Sequence, residues 1–332
     1  MLITRTPFRV SFAGGGSDMA SFYEENGGCV LSTSINKYMY ISIHPYFDPK
    51  YTVLKYSENE TVDDIKKIQH SILNDVLNNM NISGVEIVST ADVPGGTGLG
   101  SSSTFTVGLL NSIYSYIGKY VSKERLADEA CKVEIEHLKS PIGKQDQYAA
   151  AYGGLNFIKF NKDGSVSVSP IIMKGETYRK LQNNLMMFYT GTMRSANEIL
   201  SEQKKNISNE SKRNNLKKMC KLAEDMKLSL EENDVNSFGK YLYDGWILKK
   251  TLASGISNAN IDKAYEIALE SGAAGGKLLG AGGGGFLLFY CEDKNKDKLK
   301  NNLKKELNIS QFEFKFDHDG SSVIYIGDKY WD

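Results

Sequence analysis

The spacing of hydrophobic and polar residues in the first half of the chain predicts both strands and helices. Residues 37–47 and 51–56 carry apolar and aromatic side chains in runs or in alternation, as strands do. From Asp64 to Met80 the apolar side chains recur at helical spacing, which predicts one helix. Further elements are predicted in this order: a strand at 85–90, a helix from the serines at 101–103, a helix from Lys123 to about Lys139, and a strand at 153–160 followed by a hairpin turn at 161–164.

The second half of the chain is richer in helical patterns. Helices are predicted at about 194–206, 211–232, 234–252, 258–271 and 293–307, and strands at 185–189, 286–290, 312–316 and 322–326. This mixed order of elements predicts an α+β fold with two domains and a boundary near 165–180. We assign the domains as residues 1–170 and 171–332.

The overall composition narrows the classes of function. Forty Lys and Arg residues balance forty Asp and Glu residues, whereas a protein that holds nucleic-acid backbone needs a basic excess. The sequence has no apolar stretch of about 18 residues and no leader pattern, so we expect neither a membrane span nor secretion. Four scattered cysteines fit neither a disulfide framework nor a zinc site and favour a cytoplasmic location. They are Cys29, Cys131, Cys220 and Cys291.

The strongest chemical signal lies between a predicted strand and a predicted helix. It consists of Pro94, Gly95, Gly96, Thr97, Gly98, Leu99, Gly100, Ser101, Ser102 and Ser103. Glycines let the backbone turn tightly and approach a ligand closely, and the unpaired amides at a helix start attract phosphate. The segment is neither a Walker A loop nor a GxGxxG fingerprint. It predicts a phosphate-binding loop, and the alternative is a glycine loop with a serine cap and no ligand.

This segment, PGGTGLGSSS, resembles the ATP-binding signature of the GHMP kinases. Two further motifs of that family occur in the same order: RTPFRVSFAGGGSD at residues 5–18 and KLLGAGGGGF at residues 277–286. The resemblance implies ATP as the phosphate donor, Mg²⁺ as the metal ion, and a small-molecule acceptor. It also implies a ribosomal protein S5-like N-terminal domain and a ferredoxin-like C-terminal domain, with ATP and the acceptor in the cleft between them.

Within that family, the motifs are similar to those of sugar 1-kinases that act on D-glycero-α-D-manno-heptose 7-phosphate. The similarity extends to residues 143–147 and 189–191. It implies formation of heptose 1,7-bisphosphate on the GDP-heptose route to capsule, S-layer or related surface glycans. Galactokinases carry Glu-His where this chain has Gly15-Gly16. L-Fucose and galactose remain alternative acceptors at this point.

The resemblance places Asp146 at the catalytic aspartate of the family. Phosphoryl transfer to a sugar hydroxyl needs a carboxylate that accepts or orients the hydroxyl proton. Arg9 matches the arginine beside that aspartate, where it would keep the carboxylate ionised and stabilise developing charge. Lys144, two residues before Asp146, is a third candidate that would face the reacting phosphate. The structural alternatives are a helix N-terminal aspartate, a strand-surface arginine and a solvated lysine.

Ser102 and Glu134 form the expected metal pair. In relatives a serine of the signature and a helical glutamate hold Mg²⁺, and a carboxylate, a hydroxyl and phosphate oxygens suit a hard octahedral ion. Glu136 is a competitor for Glu134, but helical geometry puts the two on different faces. The alternative for either glutamate is a solvated helix face.

The acceptor is expected at the first motif. Asp18 should hydrogen-bond sugar hydroxyls, while Gly14, Gly15, Gly16 and Ser17 should offer backbone groups. Gly283, within the glycines 282–285 that should support the phosphate loop, is a further substrate-binding candidate. Lys37 and Arg194 are candidates for a 7-phosphate, since Arg matches phosphate geometry.

Two other classes of function remain as alternatives. The first is a non-catalytic S5-like module that binds RNA, against which the neutral charge and the acidic pair Glu134 and Asp146 argue. The second is a nicotinamide dehydrogenase, which the missing dinucleotide fingerprint disfavours. The adenine-facing residues are expected between positions 50 and 85, and the oligomeric state stays open.

Overall fold

The computed structural model describes residues 1–191 and 196–327. Within these residues the strands are β1 (Leu2–Ala13), β2 (Gly28–Pro45), β3 (Thr52–Lys55), β4 (Asn59–Val62), β5 (Val85–Ala91), β6 (Leu155–Phe160), β7 (Val166–Pro170), β8 (Leu185–Tyr189), β9 (Ala273–Leu278), β10 (Phe286–Cys291), β11 (Gln311–Phe312), β12 (Phe316–Asp317) and β13 (Ser322–Ile326). The α-helices are α1 (Ala20–Asn26), α2 (Ser71–Met80), α3 (Ser101–Tyr116), α4 (Lys123–Cys131), α5 (Gln145–Tyr152), α6 (Gly175–Asn184), α7 (Ala196–Asn206), α8 (Glu210–Glu231), α9 (Phe238–Lys250), α10 (Ala259–Glu270) and α11 (Asp293–Leu307).

The larger sheet is organised around β2, the longest strand. Its partners are antiparallel: β1 along most of its length, β6 beside its first half and β5 beside its second half. The main strand order is β13-β1-β2-β5-β3-β4, with β6, β7 and β12 attached beside β2. Since β12 and β13 come from the end of the chain, this sheet contains residues from both sides of the predicted boundary at residue 170.

Helices α2 to α5 cover one face of the larger sheet. Their apolar side chains pack onto inward-facing residues of β2 and β5. Strand residues Ile41, Ile43 and Ile87 are buried there against Leu109 and Ile113 of α3. Alternate residues of a strand face opposite sides, so the other face of the sheet carries its own apolar set, which includes Phe8, Phe12 and Leu31.

The smaller sheet has four strands in the order β11-β8-β10-β9. Alternation along β8 gives it two apolar faces: Leu185 and Met187 pack toward α8, α9 and the large sheet, whereas Met186 and Phe188 pack toward α10 and α11. Because β10 is covered on both sides, all of its residues are buried. The junction between the two sheets is therefore a continuous apolar cluster.

Most elements lie where the hydrophobic pattern predicts them, and the hairpin between β6 and β7 is confirmed. The single helix predicted from Asp64 to Met80 is wrong. A short 3-10 helix at Ile65–Lys67 ends before α2 begins. The Glu60 carboxylate accepts the amide hydrogens of Gln69 and His70 at 2.6 and 3.1 Å, which holds the chain out of the helix at that point.

Two other predicted elements differ from the structure, and helix α6 was not predicted. The helix from Lys123 continues beyond α4 as a wider π-helical segment at Lys132–His137. The strand predicted at 312–316 is two short strands, β11 and β12, which pair in different sheets. Helix α6 lies where only a boundary was predicted. In the part of the chain that is described, no helix is long and apolar enough to span a bilayer.

Candidate active site

A cavity of about 340 Å³ is lined by residues from both sheets. One wall comes from β1, the loop after it, the start of α3 and the start of α5. The other comes from α7, the end of α9, β9 and the loop at 279–285. Three glycine-rich segments that are far apart in sequence therefore surround one space.

The loop at 94–100 packs backbone to backbone against the loop at 279–285. Gly98 has a positive φ of 87°, and a Cβ there would lie 2.6 Å from the carbonyl oxygen of Leu279. A Cβ on Gly280 would lie 2.4 Å from the Cα of Gly98. Only glycine fits at these two positions, because side chains would push the two loops apart.

The start of α3 lines the cavity. Gly100 occupies the N-cap position in a left-handed conformation and has no side chain to cap the first turn. Ser101, Ser102 and Ser103 line the cavity, as do Gly96, Gly98 and Gly100. A helix start of this kind attracts anions. Pro94, Gly95, Thr97 and Leu99 are not among the lining residues; Thr97 and Leu99 are buried beneath the loop.

Arg9 and Asp146 meet at the floor of the cavity. The Arg9 Nε donates to Asp146 Oδ1 at 2.8 Å, and Nη2 donates to Oδ2 at 2.7 Å. The remaining nitrogen, Nη1, donates to the carbonyl oxygen of Gly98 at 2.7 Å. Asp146 lies in the first turn of α5, and Arg9 lies on β1 with 3% of its surface exposed. One guanidinium therefore joins the phosphate loop to the carboxylate in a fixed geometry.

Ser102 and Glu134 also meet in the structure. The Ser102 hydroxyl donates to Glu134 Oε1 at 2.5 Å, and Gln147 Nε2 donates to Glu134 Oε2 at 2.7 Å. Glu134 is 1% exposed and lines the cavity. Burial raises the pKa of its carboxyl above the ordinary value, while hydrogen bonds from serines and Gln147 oppose the shift. Glu136, the sequence competitor, is exposed.

This pair fits a magnesium ion that also binds phosphate oxygens. A buried carboxylate and a hydroxyl are hard oxygen donors, and a cation would relieve the cost of burying the carboxylate charge. Across residues 1–191 and 196–327, no cluster of three or more His, Cys, Asp or Glu side chains is arranged to hold a metal. Remaining ligands would therefore have to come from the bound phosphates and water.

Asp18 is held rigidly beside Asp146. Its Oδ1 accepts the amide hydrogen of Gly16 at 2.8 Å, and its Oδ2 accepts that of Gln145 at 3.2 Å. Burial, followed by repulsion from Asp146, raises the pKa of Asp18 above its ordinary value. Gly15, Gly16 and Asp18 line the cavity. A polar ligand at this end would meet a preorganised carboxyl group.

Gly14 and Ser17 of the first motif support this loop from below. The Ser17 hydroxyl bonds to the backbone of Cys29 at 3.0 Å on both its donor and acceptor sides. A Cβ on Gly14 would lie 1.9 Å from the carbonyl oxygen of Cys29. Neither residue lines the cavity. Their predicted contact with substrate is therefore not supported, because both pack against β2.

Three other predicted site residues, all in the described part of the chain, are not among the residues that line the cavity. The ammonium of Lys144 donates to the carbonyl oxygen of Gly164 at 2.8 Å and faces the ring of Tyr23, since its position just before α5 directs it away from Asp146. Lys37 lies over the ring of Phe312. The Gly283 amide donates to Ile256, and its neighbours line the cavity instead. Arg194 lies outside the described residues.

Two buried lysines that no sequence pattern assigned to the site also line the cavity, Lys249 and Lys277. The Lys277 ammonium donates to the carbonyl oxygen of Phe12 at 3.0 Å. Lys249 donates to the carbonyl oxygens of Leu278 and Gly280 at 2.9 and 2.5 Å. The position of Lys277 in the third motif is a sequence signal that could have placed it at the cavity. Lys249, next to Lys250 at a helix end, looks like a solvated lysine in the sequence.

Two family descriptions match this chain. They are "GHMP kinases N terminal domain" over residues 65–154 and "GHMP kinases C terminal" over residues 226–309. Together they match more than half of the chain, and their order agrees with the three motifs. The chain therefore belongs to the GHMP kinases, phosphotransferases that use ATP as the phosphate donor.

Individual relatives agree with this assignment. D-glycero-alpha-D-manno-heptose 7-phosphate kinase of Campylobacter jejuni is 29% identical over 329 residues, which are 96% of this chain and 97% of that protein. The bifunctional fucokinase/GDP-fucose pyrophosphorylase of Arabidopsis thaliana is 27% identical over 88% of this chain and 30% of its own length.

Solved structures confirm the two-domain GHMP kinase fold. A D-glycero-D-manno-heptose 1-phosphate kinase from Bacteroides thetaiotaomicron superposes with a TM-score of 0.82 and 25% identity, covering 99% of this chain and 100% of that chain. A mevalonate kinase superposes with a TM-score of 0.72 and 23% identity, covering 95% and 99%. The second likeness concerns the fold alone.

Proposed function

We propose that this GHMP kinase transfers the γ-phosphoryl group of ATP to the anomeric hydroxyl of D-glycero-α-D-manno-heptose 7-phosphate. The product would be the 1,7-bisphosphate, a precursor for GDP-heptose and surface glycans. The observation that carries the kinase chemistry is the contact of one guanidinium with both the phosphate loop and the Asp146 carboxylate. The heptose acceptor rests on the motifs of the chain and on the two heptose kinases to which it is similar.

The proposed binding mode follows the polarity of the cavity. The triphosphate would lie over the start of α3, whose first residues line the cavity and whose first-turn amides could bind phosphate. The acceptor would lie toward Gly15, Gly16 and Asp18. Asp146 stands between these two ends, so a sugar hydroxyl hydrogen-bonded to it would point at the terminal phosphate. That is the in-line arrangement that phosphoryl transfer requires.

Asp146 would accept or orient the proton of the attacking hydroxyl. The two hydrogen bonds from Arg9 leave each carboxylate oxygen with a lone pair for that proton. Arg9 fixes the carboxylate rather than merely lying near it, and its third contact holds the phosphate loop at a constant distance. Ser102 and Glu134 would bind Mg²⁺, which shields the charge of the β- and γ-phosphates when it is bound.

The acceptor decides between this proposal and its alternatives. The two heptose kinases carry names that differ in the phosphate position, 7-phosphate in one and 1-phosphate in the other. A fucokinase also matches most of this chain. Fucose or galactose would therefore be the alternative acceptors. We place the enzyme in the cytoplasm, where ATP is available, with no nucleic-acid or membrane partner.

ADP release measured with a panel of acceptors tests the proposal. The panel contains heptose 7-phosphate, the unphosphorylated heptose, mannose, L-fucose, galactose and mevalonate, each with Mg²⁺ and ATP. We expect kcat/KM to be highest with heptose 7-phosphate. A higher kcat/KM with L-fucose or galactose would change the proposed acceptor but leave the proposed kinase activity in place. ADP release that no acceptor stimulates would contradict the proposal.

A further inference from the structure

Two lysine side chains are buried at the cavity, and in the described part of the chain neither forms an ion pair with a carboxylate. Lys277 on β9 is 6% exposed, and Lys249 at the end of α9 is 8% exposed. All the hydrogen bonds that these two ammoniums make within residues 1–191 and 196–327 end on backbone carbonyl oxygens. An ammonium has three hydrogens to donate. Lys277 uses one of them on Phe12, which leaves donors directed to the cavity that it lines.

Burying these charges is costly without an anion. Burial, together with the nearby Arg9 guanidinium, lowers the pKa of Lys277 from 10.5 to about 7. Burial, followed by repulsion from Lys277 and Arg9, lowers the pKa of Lys249 well below its ordinary value. Three basic side chains thus lie close together in the described part of the chain, and Arg9 alone among them is paired with a carboxylate, that of Asp146. An anionic ligand would compensate this cost.

The position of the lysines points to one part of the ligand. Lys277 is tied to Phe12, three residues beyond Arg9 on the same strand. Lys249 holds the carbonyl oxygen of Gly280, the residue whose backbone abuts Gly98 of the phosphate loop. Arg9 holds the carbonyl oxygen of Gly98. The contacts of the three basic side chains therefore lie at or near the two glycine loops, and all three side chains line the same cavity as Asp146.

We propose that Lys277 binds the terminal phosphoryl group of the nucleotide as it passes from the phosphate loop to the acceptor. This inference rests on the proposed kinase function and adds a binding residue to it. The ligand class is a phosphate dianion, which an ammonium contacts as a point charge. Lys249 is a positioning residue that holds the loop at 279–285 through Leu278 and Gly280. The alternative ligand of Lys277 is the phosphate group of the acceptor.

Calorimetry with Lys277→Met tests which phosphate is bound. The ligands are ADP, the β,γ-imido analogue of ATP, and heptose 7-phosphate, each with Mg²⁺. We expect Lys277→Met to lower the affinity for the ATP analogue by about 10-fold or more, as the loss of a charge-assisted hydrogen bond would. The affinity for ADP should fall by less than about 2-fold. Equal loss for both nucleotides, no loss, or a loss confined to heptose 7-phosphate would overturn the proposal.

A matched control removes a surface lysine that also donates to a backbone carbonyl. Lys298 is exposed, donates to the carbonyl oxygen of Glu270 at 2.9 Å, and is not among the residues that line the cavity. Lys298→Met should leave all three affinities unchanged. If it weakens the ATP analogue as much as Lys277→Met does, the effect is one of net charge and the proposal fails.

Proton uptake by the unmodified protein provides a test that needs no variant. A phosphate dianion beside Lys277 would favour the charged ammonium, so binding of the ATP analogue at pH 8 should take up a proton that ADP binding does not. Titration in two buffers of different ionisation enthalpy measures this proton. The other ionisable groups that face the cavity are Arg9, Asp18, Glu134, Asp146 and Lys249. Equal proton uptake with ADP would contradict the assignment to the terminal phosphate.

These measurements separate the two proposals. Suppose that no sugar is phosphorylated, but the protein still takes up a proton when the ATP analogue binds, and Lys277→Met binds that analogue more weakly. The sugar kinase proposal then fails and the assignment of Lys277 stands. If sugar phosphorylation proceeds and Lys277→Met binds both nucleotides normally, the assignment fails and the kinase stands.

Discussion

Arg9 of β1 and Asp146 of α5 form a two-point ion pair, with nitrogen–oxygen distances of 2.8 and 2.7 Å, although 137 positions separate them in sequence. The pair is the place where the large sheet, the phosphate loop and α5 meet. Since the third Arg9 contact is with Gly98, a ligand phosphate on that loop and a hydroxyl on Asp146 would be positioned by one rigid group.

Removing the carboxylate charge should abolish most of the activity while the fold survives. In Asp146→Asn the amide keeps the size of the side chain but cannot accept the hydroxyl proton. We expect kcat to fall by about 10²-fold or more. Steady-state ADP release measures this, with ATP-analogue affinity as the check on binding. An unchanged kcat would remove Asp146 from the mechanism.

Glu134→Gln should weaken the response to magnesium. The amide oxygen can still accept from Gln147 Nε2, and the amide nitrogen can donate to the Ser102 hydroxyl in place of accepting from it, but the side chain supplies no charge for a cation. We expect the Mg²⁺ concentration for half-maximal activity to rise by about 10-fold or more. Glu136→Gln, an exposed position two residues further on, is the matched control and should respond as the unmodified enzyme does. Similar curves for both variants would show that Glu134 is not a ligand.

The same variant should change stability with a defined sign. Because burial raises the pKa of Glu134 in the folded state, its contribution to stability is present below its ordinary value of 4.5 and is lost as pH rises through the folded pKa. At pH 7 without ligand, Glu134→Gln should therefore be at least as stable as the unmodified protein. The advantage should disappear near pH 4. Urea unfolding at pH 7 and pH 4 measures the free energy of unfolding of both proteins. The value for Glu134→Gln minus the value for the unmodified protein should be larger at pH 7, and a smaller difference at pH 7 than at pH 4 contradicts the expectation.

A methyl group at Gly98 should separate the two glycine loops. The new Cβ would lie 2.6 Å from the Leu279 carbonyl oxygen in a backbone conformation with positive φ. We expect Gly98→Ala to lose about 1–3 kcal/mol of stability and to raise the KM for ATP. Gly245→Ala is the control, because its Cβ would meet nothing closer than 3.9 Å and would favour helix α9. Equal KM values in the two variants would argue against the loop contact.

The pH dependence of stability should reveal the buried lysine. Since burial lowers the pKa of Lys277 to about 7, the folded protein releases a proton that the unfolded chain holds up to about pH 10.5. Stability should rise with pH across this window, by at most about 1.4 kcal/mol per pH unit. In Lys277→Met this contribution is absent. Urea unfolding at pH 7, 8 and 9 measures the free energy of unfolding of both proteins. The value for the unmodified protein minus the value for Lys277→Met must increase with pH, and a constant difference contradicts the prediction.

The sequence predicts those parts of the site that are continuous along the chain. Glycines and serines at 94–103 specify a turn and a helix start by local chemistry, and the structure places them at the cavity. Arg9 and Asp146 came from family resemblance, because no local pattern indicates which distant side chains meet. Lys144, close to Asp146 in sequence, points to Gly164 because it precedes the first turn of α5.

Burial is the property that the sequence did not reveal. A pair of lysines at the end of α9 has the pattern of a solvated helix end, yet the fold buries Lys249 under the loop at 279–285. The break before α2 depends on Glu60, which lies before the helical pattern in sequence and accepts the amide hydrogens of Gln69 and His70 within it. Both features arise from tertiary contacts that hydrophobic periodicity does not encode.

The most direct test of the central claim is phosphorus NMR of a reaction that contains the enzyme, Mg²⁺, ATP and D-glycero-α-D-manno-heptose 7-phosphate. We expect a new phosphate signal that couples to the anomeric proton, grows as the γ-phosphate signal of ATP declines, and grows about 10²-fold or more slowly with Asp146→Asn. Conversion of ATP to ADP and inorganic phosphate alone, or a new signal that couples to any other carbon position, would contradict it.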